Sequence, residues 1–470
     1  MTTTTRRART IDLAAYGERL EAFVAEANAE LYRGLSGQSD AMAVAPIHER
    51  HADLSDRKAI SGLTKLAAGT GEEARQAGRL RSWALEAHAQ RAVADLTDRI
   101  VAAEATAVVE WKGERIPYRA APTRIAELSD RAERNILDGS YREAVEAINP
   151  LRMARMARLR DVAVELGFDD LVGLADAING FSAAGVAAEM QRFLNASETV
   201  YFAALRRYLA EIDIEAGDGS SVDLAYLLRG SAWDAWFESR RLSSVVRETL
   251  ATLGLDLAAL PNVQLDWEAR PNKVARAMCI PVRIPGDVRL LMQPRGGYDD
   301  YLAAFHELGH VGHMALSDAG LPAADRLTGD GSVTEAYAAL LEFVATEPAW
   351  LAERLRMPEG EVAGFVDFAA FWRLYQLRRM AAKLLYELRL LRDPDPAVGR
   401  ATYGGMLSLL TGVQTAEADW LADVDDHLYA ARYLRAWMLE GSLSGALRAA
   451  HGAAWWTEPA AGDRLRSLWA

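Results

Sequence analysis

Hydrophobic residues recur at three- and four-residue spacing along most of the chain, with charged residues between them. This is the pattern of amphipathic helices. Short breakers such as Gly217–Gly219 and Asp393–Pro396 separate the segments. The sequence therefore predicts a mostly helical protein, with helices near residues 11–33, 54–67, 72–106, 120–137, 139–166, 184–212, 233–253, 298–318, 332–346, 360–392 and 415–449.

Two places favour strands instead, because β-branched residues cluster there and turn residues follow. One is Ala107–Gly113. The other is the pair Val274–Val282 and Val288–Gln293, joined through Ile284–Asp287. We therefore expect one small β ribbon, formed by this pair directly before the helix at 298.

Composition narrows the class of protein. The chain has 470 residues, of which 50% are hydrophobic and 25% charged, so it can bury a large core. The net charge is -13, which argues against the basic surface that a general nucleic-acid-binding protein needs. Cys279 is the only cysteine, which excludes a disulfide framework and a multi-cysteine metal site. A reducing compartment is the expected environment.

Membrane and export signals are not expected either. No stretch approaches the roughly 18 consecutive apolar residues that a membrane span needs. An Arg pair lies near the start of the chain, but Asp12, Glu18 and Glu21 interrupt what would be the apolar part of an export signal. We therefore predict no membrane span and a cytoplasmic location.

The segment Tyr298–His310 contains the most informative chemistry. His306 and His310 are four residues apart, so on a helix both imidazoles face the same way and can bind one metal ion. Neutral imidazole suits zinc, and three protein ligands leave a fourth position for a water whose pKa falls to about 7. The Glu307 carboxylate lies beside them, where it can take a proton from that water. Three of the eight histidines lie between 306 and 313, which favours this interpretation over two histidines satisfied by packing.

A third ligand must come from another segment. Glu335 lies 25 residues after His310, on a predicted helix. Ser332 and Glu335 also match a capping box, so spacing alone leaves the ligand and the cap interpretations open. Asp330 and Glu342 are the other candidate oxygen ligands.

These motifs together resemble a known family, the helical zinc oligopeptidases of the thimet oligopeptidase, neurolysin and oligopeptidase F type, which are gluzincins. The resemblance rests on Met278–Pro281, Phe305–His313 and Thr334–Glu335 with Glu342 seven residues further on. Ala431–Trp437 and Ser332–Pro348 are similar to angiotensin-converting enzyme, a relative with the same fold. The similarity spans about residues 270–450.

The resemblance implies a neurolysin-like helical body with a deep cleft and a small β ribbon beside the zinc helix. Residues 1–265 would form an amino-terminal helical half that covers the cleft. Residues 266–470 would form the catalytic half, with the zinc helix, the third-ligand helix and a tyrosine helix. One Zn²⁺ per chain is the implied cofactor.

The resemblance also assigns roles to single residues. Glu335 becomes the third zinc ligand, and Tyr433 the hydroxyl that hydrogen-bonds the oxyanion, with Tyr429 as its substitute. His427 would hold a substrate carbonyl. The remaining assignments are substrate binding by Ala275, Ala277, Tyr429 and Arg432, and support of the metal ligands by Glu342 and His313.

Departures from the family bear on the substrate. Ala339 occupies the position of a supporting aspartate in angiotensin-converting enzyme, and Leu421 that of its carboxylate-binding lysine. A strict dipeptide-releasing carboxypeptidase is therefore not expected.

The leading hypothesis is a zinc-dependent hydrolase that cleaves amide bonds in short peptides, with Glu307 as general base. One alternative is an enzyme of the same scaffold that acts on a dedicated small amide or peptide-like intermediate in a biosynthetic pathway. Another is a non-catalytic binding protein, against which the presence of Glu307 argues. A di-iron carboxylate protein is disfavoured because Glu307–His310 is the one Glu-x-x-His copy we find.

Overall fold

The computed structural model describes residues 11–39, 42–274, 276–392 and 395–470. Helices make up 74% of the structure and strands 6%, which confirms the prediction of a mostly helical protein. No single helix in these ranges has both the length and the hydropathy of a membrane span. One pair of helices, Leu171–Asn179 and Ala183–Ala210, has the length and hydropathy of a membrane span when the two are taken together, but the pair is bent by 91°.

The helices of the first half of the chain are α1 Leu13–Leu35, α2 Val44–Arg50, α3 Arg57–Ala67, α4 Gly71–Ala92, α5 Ala94–Thr106, α6 Ala121–Glu127, α7 Arg131–Glu165, α8 Leu171–Asn179, α9 Ala183–Ala210, α10 Ser221–Leu228 and α11 Ser239–Thr252. Those of the second half are α12 Tyr298–Leu316, α13 Ala323–Leu327, α14 Gly331–Glu342, α15 Pro348–Trp350, α16 Glu359–Arg392, α17 Pro396–Thr411, α18 Tyr429–His451 and α19 Pro459–Trp469.

Helix capping corrects the predicted boundary between residues 120 and 166. The sequence pattern placed a break at residue 138, whereas α6 ends at Glu127 and α7 begins at Arg131. The Asp130 side chain accepts a hydrogen bond from the Glu133 backbone N–H, which caps the first turn of α7. The helix then continues through the predicted break.

Backbone conformation corrects the helix predicted at 415–449. His427 and Leu428 have φ angles of 54° and 56°, in the left-handed region that interrupts a right-handed helix. They lie in a short 3₁₀ turn, Asp426–Leu428, and another such turn, Glu417–Trp420, lies before it. Helix α18 therefore begins at Tyr429.

The strands form two small sheets rather than the single ribbon predicted. In the first, β1 Val108–Trp111 pairs with β2 Glu114–Pro117 as an antiparallel hairpin. The second contains β3 Val263–Asp266, β4 Met278–Arg283 and β5 Asp287–Leu291 in the order β3-β5-β4. The β4–β5 pair is the expected ribbon, and β3 adds to it in parallel. Strand β3 is only four residues long, which is too short for an alternation of apolar and polar residues to be recognised in the sequence.

Two large hydrophobic cores hold most of the helices together, and three smaller clusters accompany them in the described residues. One surrounds α11, α12, α14 and the first part of α16, and contains Phe305, Trp350 and Phe365. The other surrounds α3, α4, α8 and the later part of α16, and contains Leu80 and Leu384. Helix α12 packs against α14, and α14 packs against α18. These last two contacts bring the predicted site residues together.

Candidate metal centre

Helix α12 presents one face to the core and the other to the site. Phe305 and Leu308 are fully buried in the core. His306 and His310, four residues apart, lie on the other face, with their ring centroids 5.0 Å apart. The Asp300 carboxylate in the first turn accepts hydrogen bonds from the backbone N–H groups of Arg295 and Gly296, which fixes the start of the helix.

The predicted metal ligands converge. His306, His310 and Glu335 each offer a ligand atom, and these atoms all lie within 4.8 Å of one another. The Glu335 Oε2 atom is 3.3 Å from the His306 Nε2 atom and 3.6 Å from the His310 Nε2 atom. The three side chains are only 11–13% exposed, so few waters compete for these atoms.

In both histidines, the ring nitrogen Nδ1 contacts the side chain of another residue. The His306 Nδ1 atom is 2.8 Å from Glu342 Oε2, and His310 Nδ1 is 2.9 Å from Thr334 Oγ1. Such partners fix the ring orientation and leave Nε2 for a metal. The sequence argument missed the role of Thr334, although it precedes Glu335 directly and belongs to the motif.

The hydrogen-bond partners of the two Glu335 carboxylate oxygens also favour a role as metal ligand. Its Oε1 atom accepts a hydrogen bond of 2.7 Å from the Tyr429 hydroxyl. Its Oε2 atom is buried, and within the described ranges no group hydrogen-bonds to it. A buried carboxylate oxygen without a donor is costly unless a cation neutralises it. The residues therefore fit a divalent metal ion.

The charges of the cluster shift the pKa values of its members. Burial lowers the pKa of His306, but contact with Glu335 and Glu342 outweighs it and raises that pKa to about 10. Burial likewise opposes the effect of His306 and His310 on Glu335, whose pKa falls well below its usual range. Carboxylates thus concentrate negative charge around the two imidazoles, as a cation site requires.

The structure excludes the competing explanations for Glu335. Helix α14 is capped by Asp330, whose side chain accepts from the Ser332 N–H, so Ser332 lies inside the helix. The capping-box interpretation of Ser332 and Glu335 is therefore wrong. Asp330 also pairs with Arg435, and Glu342 is committed to His306 Nδ1.

Glu307 is held by the neighbouring strand. Its Oε2 atom accepts a hydrogen bond of 2.6 Å from the Cys279 backbone N–H on β4. Nothing in the sequence pattern marks the Cys279 backbone N–H as a donor to this carboxylate. The carboxylate therefore has a fixed orientation beside His306.

The two tyrosines of α18 have different partners. The Tyr433 ring stacks on the His306 ring at 6.4 Å with an interplanar angle of 8°. Within the described residues its hydroxyl has no hydrogen-bond partner, whereas the Tyr429 hydroxyl is committed to Glu335. Burial, followed by the Glu335 charge, raises the pKa of Tyr433 well above its usual value. Tyr433 is therefore a protonated donor beside the cluster.

Among the described contacts, His427 has none with the three candidate ligands. It is 9% exposed and lines a cavity of about 320 Å³ together with Arg155 and Asp426, and no metal-ligand candidate lines that cavity. Its ring is 3.5 Å from the Gln90 side chain. Burial lowers the pKa of His427.

The remaining predicted residues contact groups around the candidate ligands. Arg432 donates to Asn179 Oδ1 and lies 5.4 Å over the Tyr429 ring. His313 packs against Tyr337, and its buried Nδ1 atom has no partner in the described structure. Burial, followed by the His310 charge, lowers the pKa of His313 to about 4.

Two predictions concerned the backbone before β4. Ala277 directly precedes the strand and is 2% exposed. Ala275 lies outside the described residues. Substrate binding by this segment stays a prediction.

No protein-family model matches the chain, and no curated protein matches it at a significant level. The function is therefore inferred from the geometry of the site and from the resemblance of its motifs.

Proposed function

We propose that the chain is a zinc-dependent hydrolase that cleaves amide bonds in short peptides or peptide-like molecules. The observation that carries the proposal is the convergence of His306 Nε2, His310 Nε2 and Glu335 Oε2. Glu307, the proposed general base, directly follows His306, and the free Tyr433 hydroxyl belongs to the ring that stacks on His306. The proposed fold is the neurolysin-like one, with an amino-terminal half at 1–265 and a catalytic half at 266–470. A reducing cytoplasm suits a chain with one cysteine.

Two imidazoles and one carboxylate are a ligand set typical of catalytic zinc. A zinc ion bound there would supply Lewis acidity, which acidifies water and polarises a substrate carbonyl. Glu342 and Thr334 would hold the two imidazoles in the tautomer that offers Nε2. The Tyr429 hydroxyl would keep Glu335 turned toward both histidines.

The chain's own groups supply the proton transfers. Glu307 would accept a proton from the attacking water and return it to the leaving amine. The Cys279 N–H keeps that carboxylate in place. Tyr433 would donate its hydroxyl proton in a hydrogen bond to the oxygen on which negative charge develops.

Cavities on both sides of the cluster favour an extended substrate. Asp299 and His313 each lie seven residues from His306 along α12, about 10 Å in opposite directions. Asp299 lines a cavity of about 800 Å³, and His313 lines one of about 570 Å³. We therefore favour a short peptide, which can extend along α12 toward both cavities, over a single small amide.

The proposal is tested by Glu307→Gln in zinc-loaded protein. The amide keeps the shape of the side chain but cannot accept the proton. We expect zinc to be retained at one per chain and hydrolysis of a short-peptide library to fall by about 10²–10⁴-fold. Zinc is measured by elemental analysis and products by mass spectrometry.

Glu353→Gln is the matched control, because Glu353 is exposed and is not one of the residues that form the cluster. It should leave both readouts unchanged. Activity of Glu307→Gln within about tenfold of the wild type would show that Glu307 is not the base. Failure of the zinc-loaded wild type to cleave any peptide would contradict the proposed function.

A further inference from the structure

The cavity of about 570 Å³ lies between α1, α4 and α8 on one side and α12, α14 and α18 on the other. Thr334, the partner of His310, is one of its lining residues. Pro281 is another, and it lies two residues along β4 from Cys279, whose N–H holds Glu307. Two strand residues span about 7 Å. The cavity therefore begins close to the proposed point of hydrolysis.

Most charges in this cavity are already neutralised. The charged residues that line it are Arg79, Glu86, Asp325, Arg326, Asp330 and Arg432. Arg79 pairs with Asp325. Arg326 pairs with Glu21, and Asp330 with Arg435. Among the charged side chains that line the cavity, in the part of the chain that the structure describes, Arg432 and Glu86 have no ion pair; the carboxylate of Ala470 also lines the cavity.

Neutral groups alone hold the Arg432 guanidinium. Its Nη2 and Nε atoms donate to Asn179 Oδ1 at 2.8 and 3.3 Å. Its aliphatic part lies against Gly331, where a Cβ atom would come within 2.8 Å of Arg432 Cδ. Among the described contacts, Nη1 has no acceptor. The side chain is thus positioned, while its charge and one nitrogen are available.

The position that the family resemblance assigns to a carboxylate-binding lysine cannot serve here. Leu421 occupies it, is 6% exposed and lines the other, 320 Å³ cavity with His427. Arg432 is the unpaired cation on the side of the cleft next to Thr334. A guanidinium with free N–H donors matches the geometry of a carboxylate.

We propose that Arg432, oriented by Asn179, binds a carboxylate of the substrate in this cavity. The enzyme would then select peptides that carry either a free carboxyl terminus or an acidic side chain at this end of the cleft. This inference rests on the proposed hydrolase function. It adds the chemical class of the group that the substrate presents beside the cluster.

Binding is measured in the zinc-loaded Glu307→Gln protein, which does not turn substrate over. The probes are acetyl-tetra-alanine with a free carboxyl terminus, its terminal amide, and terminal amides in which one alanine is replaced by glutamate. A charge-assisted hydrogen bond contributes about 1.5–3 kcal/mol. We therefore expect a carboxylate-bearing probe to bind roughly 10–100-fold more tightly than the neutral amide in calorimetry. The free acid and the glutamate series distinguish the two sources of the carboxylate.

Variants of the cavity test the assignment. Arg432→Gln should abolish the preference and Arg432→Lys should keep part of it. Asn179→Asp should also reduce it, because an added carboxylate would neutralise Arg432 without removing it. Arg240→Gln, which removes an exposed guanidinium paired with Glu238 outside the cavity, should leave the preference unchanged, and Glu86→Gln should leave or increase it.

The outcomes separate this inference from the proposed function. Equal binding of all probes would overturn the carboxylate subsite, as would a preference that survives Arg432→Gln. Peptide cleavage by the wild type would still support the hydrolase in either case. A carboxylate preference that is lost in Arg432→Gln, in a wild type that cleaves nothing, would support the anion subsite and contradict the hydrolase.

Discussion

At the scale of single residues, the two tyrosines at the start of α18 have different partners and therefore different proposed roles. Tyr429 and Tyr433 are one turn apart with ring centroids 5.3 Å from each other. The Tyr429 hydroxyl bonds to Glu335, the proposed third ligand, and the Tyr433 hydroxyl is free beside His306. A free donor next to the ligand set can act on charge that appears only in the transition state.

We predict that Tyr433→Phe lowers kcat by about 10²-fold or more and leaves KM within a few-fold, as loss of one oxyanion donor does. Steady-state kinetics on a cleaved peptide measure both constants. Tyr429→Phe should reduce kcat less and weaken zinc binding instead, because its hydroxyl supports Glu335. The reverse ranking of the two variants would assign the oxyanion to Tyr429.

Glu342 allows a second prediction at this scale. Its carboxylate contacts the His306 Nδ1 atom at 2.8 Å. Loss of such a partner typically reduces metal affinity or activity by about 10–100-fold. We expect Glu342→Ala to weaken zinc binding to that extent, measured by competition with a chelator. Glu361→Ala, on the exposed first turn of α16, should have no effect.

The sequence predicts part of the residue-level site. The four-residue spacing of His306 and His310 predicts their common direction, since helix geometry alone determines it. Thr334, Asn179 and the Cys279 N–H could not be found in this way. Their roles depend on how α14, α8 and β4 pack against other segments, and no local pattern encodes that packing.

At the scale of elements, the ligand distances depend on how closely α12 approaches α14. Gly309 lies at the contact, where a Cβ atom would be 2.5 Å from Ala338 Cα and 2.6 Å from the Tyr337 carbonyl oxygen. Both obstacles are backbone atoms, which cannot move aside as a side chain would. The absence of a side chain at Gly309 therefore sets the distance between His310 and Glu335.

We predict that Gly309→Ala destabilises the protein by about 1–3 kcal/mol, as overpacking of a core does, and weakens zinc binding. Thermal unfolding and zinc titration measure the two effects. Gly445→Ala in α18 is the control, because nothing lies within 4 Å of a Cβ added there. That change should be neutral or stabilising, since alanine is the better helix former. Normal zinc affinity in Gly309→Ala would show that the interface can adjust.

Element boundaries followed from the sequence where periodicity was long. Helices α9 and α16 agree with the pattern within about two residues. The pattern failed where one side chain or one backbone angle decides the boundary, as at Asp130 and His427. The pattern did not predict strand β3, because its pairing with β5, a segment distant in sequence, defines it as a strand.

At the scale of the whole molecule, the ligand set ties together segments far apart in the chain. Helices α12 and α14 carry the proposed ligands, and α18 carries the tyrosine bonded to Glu335. A ligand that binds only the folded state stabilises it by about 2.7 kcal/mol at 100 times its dissociation constant. Zinc should therefore stabilise the entire fold.

We predict that a chelator lowers the thermal unfolding midpoint of the wild-type protein and that added zinc restores it. Glu335→Ala should bind less than one tenth as much zinc, and its midpoint should respond to neither treatment. Differential scanning calorimetry with elemental analysis provides both readouts. Stoichiometric zinc in Glu335→Ala would show that two histidines and another group suffice.

The start of α18 has a consequence for redesign of the chain. His427 and Leu428 adopt a left-handed conformation that costs a non-glycine residue about 1–2 kcal/mol. A designer guided by local propensity would place glycine at both positions. Leu428 is fully buried, however, and deleting a buried leucine side chain costs about 2–5 kcal/mol. The locally better residue would thus make the protein less stable at position 428, so this helix start should be kept intact when the scaffold is adapted to new substrates.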